Sequence, residues 1–176
     1  MSSTVIVNDI TAVHKASSGI TPCAPPDVCK TPSPGGPVPV PYVNVAESKN
    51  LVNGSVTVKF DGQPVALKDS AFLPSKGDEA GSLGGVVSGV FKGAAKFSNY
   101  SMDVMVEGRN VARLGDPMTM NGNAPNTSGV ETQPNLAAEA AARTELCFAF
   151  CMCDRTPVPS GKGVYVPKKI GPYIIA

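Results

Sequence analysis

Apolar and polar residues alternate in two stretches of this chain that align with each other. Val56-Thr57-Val58-Lys59-Phe60 runs into Asp61-Gly62 and then Gln63-Pro64-Val65-Ala66. Met102-Asp103-Val104-Met105-Val106 runs into Glu107-Gly108 and then Arg109-Asn110-Val111-Ala112. A period of two predicts half-buried strands, and an acid followed by glycine predicts a tight hairpin turn, since glycine supplies positive φ. Thr4 to Val13 is a weaker third copy with Asn8-Asp9 at the turn. Hairpins this short cannot each bury an apolar face alone, so the repeat predicts three hairpins packed about a common axis. Three unrelated hairpins of an ordinary sandwich form the competing reading.

The segments between the hairpins are punctuated by proline and glycine. From Pro25 to Tyr42 proline recurs so often, ending in Pro37-Val38-Pro39-Val40-Pro41, that neither a helix interior nor a central strand is expected. The expectation is a stiff, extended, polyproline-like strap. Ser75 to Gly93 carries glycines too frequent for a regular helix and predicts a long shaped loop with at most one helical turn. A second loop, rich in Asn, Gly and Pro, follows Leu114 to about Pro134. The composition then shifts. Leu136 to Leu146 consists of strong helix formers that Asn135 can cap, leading into Cys147-Phe148-Ala149-Phe150-Cys151-Met152-Cys153 and a Pro/Gly-punctuated end. Two units are expected: residues 1–136, mainly β, and a 137–176 extension with one short helix.

Composition narrows the function classes. At 176 residues, 42% of them hydrophobic, the chain can bury a modest core, built mostly from Val, Ala, Ile and Leu because tryptophan is absent. A formal charge of +1 argues against nucleic acid held by a general electrostatic field. Met1 to Asn8 lacks the basic start and long apolar run of a secretory signal. The best apolar run, Leu146 to Met152, falls well short of a membrane span. A protein made in the cytoplasm, leaving by a route that reads no N-terminal signal, is the expectation. Five cysteines fit reduced thiols or a metal site better than a full disulfide framework.

Catalytic patterns are scarce. The single histidine, His14, is the one base available to a Ser-His or Cys-His arrangement, and no Gly-x-Ser-x-Gly elbow surrounds a serine. Gly84 and Gly89 have P-loop separation, but Val90 and Phe91 stand where the lysine and hydroxyl should follow. Asp78, Glu79, Asp103, Glu107 and Asp116 read as solvated loop acids, and Lys92, Lys96, Arg109 and Arg113 as surface charges. The expectation is a protein that is not an enzyme. Metal binding carries more weight: Cys23 and Cys29 flank the strap with His14 upstream, and thiolate and imidazole are preferred zinc ligands. The Cys-x5-Cys spacing is no standard zinc knuckle. The other cluster, Cys147, Cys151 and Cys153, reads as a buried helix end, a tail metal site or a disulfide.

Several motifs in order now point one way: Val13-His14-Lys15 with Ser17 and Gly19; Pro26-Asp27-Val28-Cys29-Lys30-Thr31-Pro32; Gly36-Pro37-Val38-Pro39-Val40-Pro41-Tyr42. Gly77-Asp78-Glu79-Ala80-Gly81, Gly84-Gly85-Val86-Val87-Ser88 and Val106-Glu107-Gly108-Arg109-Asn110-Val111-Ala112-Arg113 continue the series. Over residues 4 to 120 the chain resembles the PAAR-like family of type VI secretion spike-tip proteins. The resemblance implies a small cone-like β fold of hairpins in pseudo-threefold arrangement. It also implies a place on the blunt end of the VgrG trimer, one copy per trimer, leading a contractile machine through a target envelope without residing in the membrane. Zinc held by histidines and a cysteine is implied as well, with His14 and Cys29 as ligands here, Cys23 as a substitute third, and a tail cysteine or an acid as the fourth. The chain departs from the pattern at Met118 and Met120, where relatives tend to have a histidine. Two roles follow: a spike tip, or an effector-loading adaptor or N-terminal carrier part of a toxin, with residues 137–176 docking an effector or chaperone.

Overall fold

The computed structural model describes residues 3–123, 126, 129 and 130. The expected helix after Asn135, the unit at 137–176 and the cluster Cys147, Cys151 and Cys153 lie outside the described residues. Within them the protein is mainly β and consists of small antiparallel sheets.

The three alternating stretches form three equivalent hairpins. Ile6–Val7 pairs with Ile10–Thr11, Lys59–Phe60 with Gln63–Pro64, and Met105–Val106 with Arg109–Asn110. Both central turn residues have positive φ in every copy: Asn8 and Asp9, Asp61 and Gly62, Glu107 and Gly108. Turns of that mirror-image kind match the right-handed twist of the flanking strands. Asn, Asp and Glu tolerate the first position here because side-chain bonds hold them in place.

The strands after the turns close into a ring. Val13 N donates to Ala112 O at 3.0 Å, Ala112 N to Ala66 O at 2.9 Å, and Ala66 N to Val13 O at 2.9 Å. Two residues further along each copy a second cycle runs the opposite way. Lys15 N donates to Pro64 O at 3.0 Å, Lys68 N to Asn110 O at 2.7 Å, and Leu114 N to Thr11 O at 2.9 Å. Equivalent residues thus make equivalent bonds to the next copy, which is pseudo-threefold symmetry written in the backbone. The common-axis reading of the repeat holds, and the reading as unrelated sandwich hairpins does not. Val7, Ala12, Phe60, Val65, Leu67 and Val111 fill the space between the hairpins, with Val5, Val58, Val104 and Val106 packed against them.

The repeat is longer than the alternation suggested. Three residues past the ring's edge, Ser17, Ser70 and Asp116 each accept from the backbone N–H of His14, Leu67 and Arg113. Ser17 N, Ser70 N and Asp116 N return a bond to the carbonyls of the same three residues. Short polar side chains at this spacing make local turns of this kind.

A second core lies beside the ring. A four-stranded antiparallel sheet in the order Met118–Met120, Ala95–Phe97, Ala71–Phe72, Leu51–Val52 covers it. Phe72 and Phe97 meet edge to face with ring centroids 5.4 Å apart. Val13, Ala66 and Ala112 of the ring belong to this cluster too, as do Met118 and Met120, both fully buried. The two methionines that replace the resemblance's histidine are therefore core residues. Ile20–Pro22 pairs with Val45–Glu47 to carry the chain into and out of the strap.

The strap differs from its expectation. Asp27–Thr31 pairs with Val38–Tyr42 over five residues, so the proline-rich stretch is a hairpin, not an unpaired extended chain. Pro39 and Pro41 alternate along its second strand opposite Lys30 and Val28. Their missing N–H groups are tolerated because this strand is an edge. The other side of Asp27–Thr31 is covered by the glycine loop, which forms no helix: Lys30 N donates to Gly84 O at 2.9 Å and Val86 N to Val28 O at 2.8 Å. Gly81 is required by that approach, since a Cβ there would overlap the Cys29 side chain.

Candidate functional site

Two features can carry function: the threefold body and a buried polar cluster beneath the strap. The body's hairpin turns are locked to one another in a cycle. Asp61 accepts from Thr4 N at 2.8 Å and from the Thr4 hydroxyl, so the second turn holds the start of the first copy. Glu107 accepts from the N–H groups of Val56, Thr57 and Val58 at 2.7–3.0 Å, so the third turn holds the start of the second. Asn8 donates to Asp103 at 2.8 Å, so the first turn holds the start of the third. These backbone donors pull the Glu107 carboxyl down to about 2. Burial raises Asp61, but the Thr4 bonds and His14 outweigh it and its pKa is lowered.

Of the nine charges expected to be solvated, Glu79, Asp103, Glu107, Lys92 and Lys96 are exposed, while Asp78, Asp116, Arg109 and Arg113 are buried or half-buried. Arg113 is mostly buried and forks onto Asp116 at 3.1 Å, with further bonds to Tyr100 O and Asn8. Arg109 donates to the carbonyls of Asn53 and Gly54. Asp116 and Asp78 are buried. Spacing alone had no way to distinguish them from loop acids, because their donors come from distant segments.

His14 is fully buried at the ring, in the position Leu67 and Arg113 occupy in the other copies. Its Nδ1 accepts from Ala16 N at 3.1 Å and its Nε2 lies 3.3 Å from Asp61. Burial lowers its pKa against the opposing pull of Asp61. Cys23 is buried in the second core, where its thiol donates to Pro25 O at 3.1 Å and accepts from Asn126 at 3.1 Å. Cys29 is fully buried between the strap and Gly85. Burial first, then Asp27 and Asp78, pushes the Cys29 thiol up to about 11, and burial and Asp27 do the same for Cys23.

Ligand atoms of Asp27, Cys29 and Asp78 lie within 4.8 Å of one another, close enough to hold one metal ion. Of the three residues singled out from the sequence, this group contains Cys29; His14 and Cys23 are not in it. Five polar residues at four places in the chain meet here. Asn121 Nδ2 lies 2.7 Å from Asp27 and 2.8 Å from Asp78, bridging the two carboxylates. Asn44 donates to Asp78 at 2.8 Å and Asn123 to Asp27 at 2.9 Å. Lys92 contributes only its backbone N–H, at 3.0–3.1 Å from Asp78. The asparagines were missed because amide side chains in loops carry no periodic signal.

The three equivalent hairpins accord with the pseudo-threefold, mainly β fold that the PAAR-like resemblance implied. The chain belongs to the toxin PAAR-like domain family, whose pattern matches residues 20–128. Among curated proteins it is similar to DNase toxin Tse7 of Pseudomonas aeruginosa, 36% identical over 137 residues. The match covers 71% of this chain and 36% of that relative, so the chain spans only part of its length. No solved structure matches. The expectation that the chain is not an enzyme is corrected by this likeness, because the relative is a DNase toxin. Among the described residues no helix is long and apolar enough to cross a membrane.

Proposed function

We propose that this domain is the carrier part of a type VI secretion effector, delivering a DNase-type toxin into a target cell. Its hairpin body would dock, one copy per trimer, on the blunt end of VgrG. The observation that carries the reading is the closed cycle of backbone bonds through Val13, Ala66 and Ala112. A single chain with three equivalent ribbons can present three similar contacts to a three-chained partner, which an asymmetric domain cannot. The likeness to a DNase toxin favours carrier over bare spike tip. A tapered leading end, sharpening the spike, belongs to the same proposal. Exposed apolar residues at equivalent or neighbouring places on the hairpins, Ile6, Val56, Met102 and Met105, suit an interface of shape more than charge.

Mixing the purified chain with a VgrG trimer and weighing the complex by light scattering tests the docking. One chain per trimer is expected; three per trimer, or no complex, overturns it. Secretion of a reporter nuclease fused after the domain, in cells with and without a working type VI apparatus, tests the carrier role. Release that ignores the apparatus refutes it.

A further inference from the structure

The resemblance implies zinc, and a thiol with two carboxylates lies within reach of one ion, yet the polar cluster is organised around a different centre. Zinc in structural sites is held by thiolates and imidazoles. Here the one histidine among the described residues stands outside the group of Asp27, Cys29 and Asp78, its Nδ1 accepting from Ala16 N and its Nε2 3.3 Å from Asp61. The position between Asp27 and Asp78 is taken by Asn121 Nδ2, a donor that repels a cation. The orientation of that amide is not free to reverse, because its Oδ1 accepts from Gly93 N at 2.8 Å. Asn44 is turned the same way, spending both nitrogen bonds on Ser75 and Asp78 and leaving its Oδ1 without a partner. The amide nitrogens of Asn44, Asn121 and Asn123 and the Lys92 N–H thus each reach a carboxylate. Asn121 is 3% exposed and Asp78 fully buried, so these bonds form where an unpaired charge is costly.

The segments joined explain what such a centre does. Asp27 opens the strap, Asn44 follows it, Asp78 and the Lys92 N–H belong to the glycine loop, and Asn121 and Asn123 follow the outer strand of the four-stranded sheet. We propose that in this chain an amide clasp, Asn121 bridging Asp27 and Asp78, performs the cross-linking of strap, loop and sheet that a metal ion would otherwise perform. The fold then needs no metal, and Cys29 contributes packing to the strap in place of a ligand. This inference is independent of the delivery reading.

The full chain purified without chelator provides the test, through elemental analysis and melting with and without EDTA. No stoichiometric metal and an unchanged melting temperature are expected. Asn121→Ala is expected to lower the melting temperature by roughly 8 °C or more, because two buried carboxylates and the Gly93 N–H each lose a partner. Cys29→Ala is expected to lower it by less than about 4 °C. One metal per chain whose removal lowers melting overturns the proposal, as does a Cys29→Ala loss equal to that of Asn121→Ala. The chelator result on the unaltered chain decides the matter even where Asn121→Ala does not fold.

Discussion

The ring at the heart of the body makes a prediction about two positions that are 53 residues apart in sequence and hydrogen-bonded in space. Val13, Ala66 and Ala112 are equivalent residues of the three copies, all fully buried in one cluster. One carries a branched side chain and two carry a single methyl group. Val13→Ala removes two methyl groups, which at about 0.8 kcal/mol each plus a cavity contribution is a loss of about 2 kcal/mol. Ala66→Val forces two into a filled site and costs about 1–3 kcal/mol. If the three side chains share one space about the axis, the double variant restores the total volume, moved by one copy. Its destabilisation should then fall short of the sum of the single effects by about 1–2 kcal/mol. Guanidinium unfolding followed by far-ultraviolet circular dichroism measures all four proteins, tryptophan fluorescence being ruled out by composition. Single effects that add to within about 0.5 kcal/mol would refute the shared space.

Acid should act through the turn locks. Glu107 is held down to about 2 by three backbone donors, so its stabilisation is complete above its ordinary value near 4.5 and is lost as pH falls towards 2. The melting-temperature gap between wild type and Glu107→Gln should be constant from pH 7 to 5 and close by about pH 2, as followed by dichroism; a gap that persists in acid refutes the lock. His14 has its pKa lowered by burial, so its contribution is present above about 6.5 and fades as the unfolded chain takes up a proton below that value. His14→Leu copies the buried Leu67 of the second copy and should flatten the fall in melting temperature between about pH 7 and 5; an unchanged slope sinks this. Arg113→Lys loses the planar fork that serves Asp116, Tyr100 and Asn8 together and should cost about 1–3 kcal/mol in denaturant unfolding, whereas a neutral result would make the fork dispensable.

Local pattern decided the hairpins. The ends of the alternating runs, Lys59–Phe60 and Met105–Val106, with a turn pair after each, form the two-stranded ribbons, while residues 56–58 and 102–104 lie outside the strands. The family motifs were legible for the same reason, being contiguous runs. Proline spacing in the strap was legible as stiffness, but its pairing was not. Whether Val38–Tyr42 stays alone or joins Asp27–Thr31 depends on which edge is left free, and the glycine loop settles that by covering the opposite side.

What only the tertiary structure decided is the fate of the polar residues. Asp78 and Asp116 have the composition of surface loops around them and are buried, because donors from segments tens of residues away converge on them. Asn44, Asn121 and Asn123 bear no periodic mark, and their role exists only where the strap, the loop and the sheet meet. His14, legible as a ligand by residue type, is buried in the ring beside Asp61 and is not in the Asp27, Cys29 and Asp78 group. Burial of apolar residues repeats with the backbone's own period and can be read along the chain. A hydrogen-bonded polar centre depends on distances between segments, and those come into being with the fold.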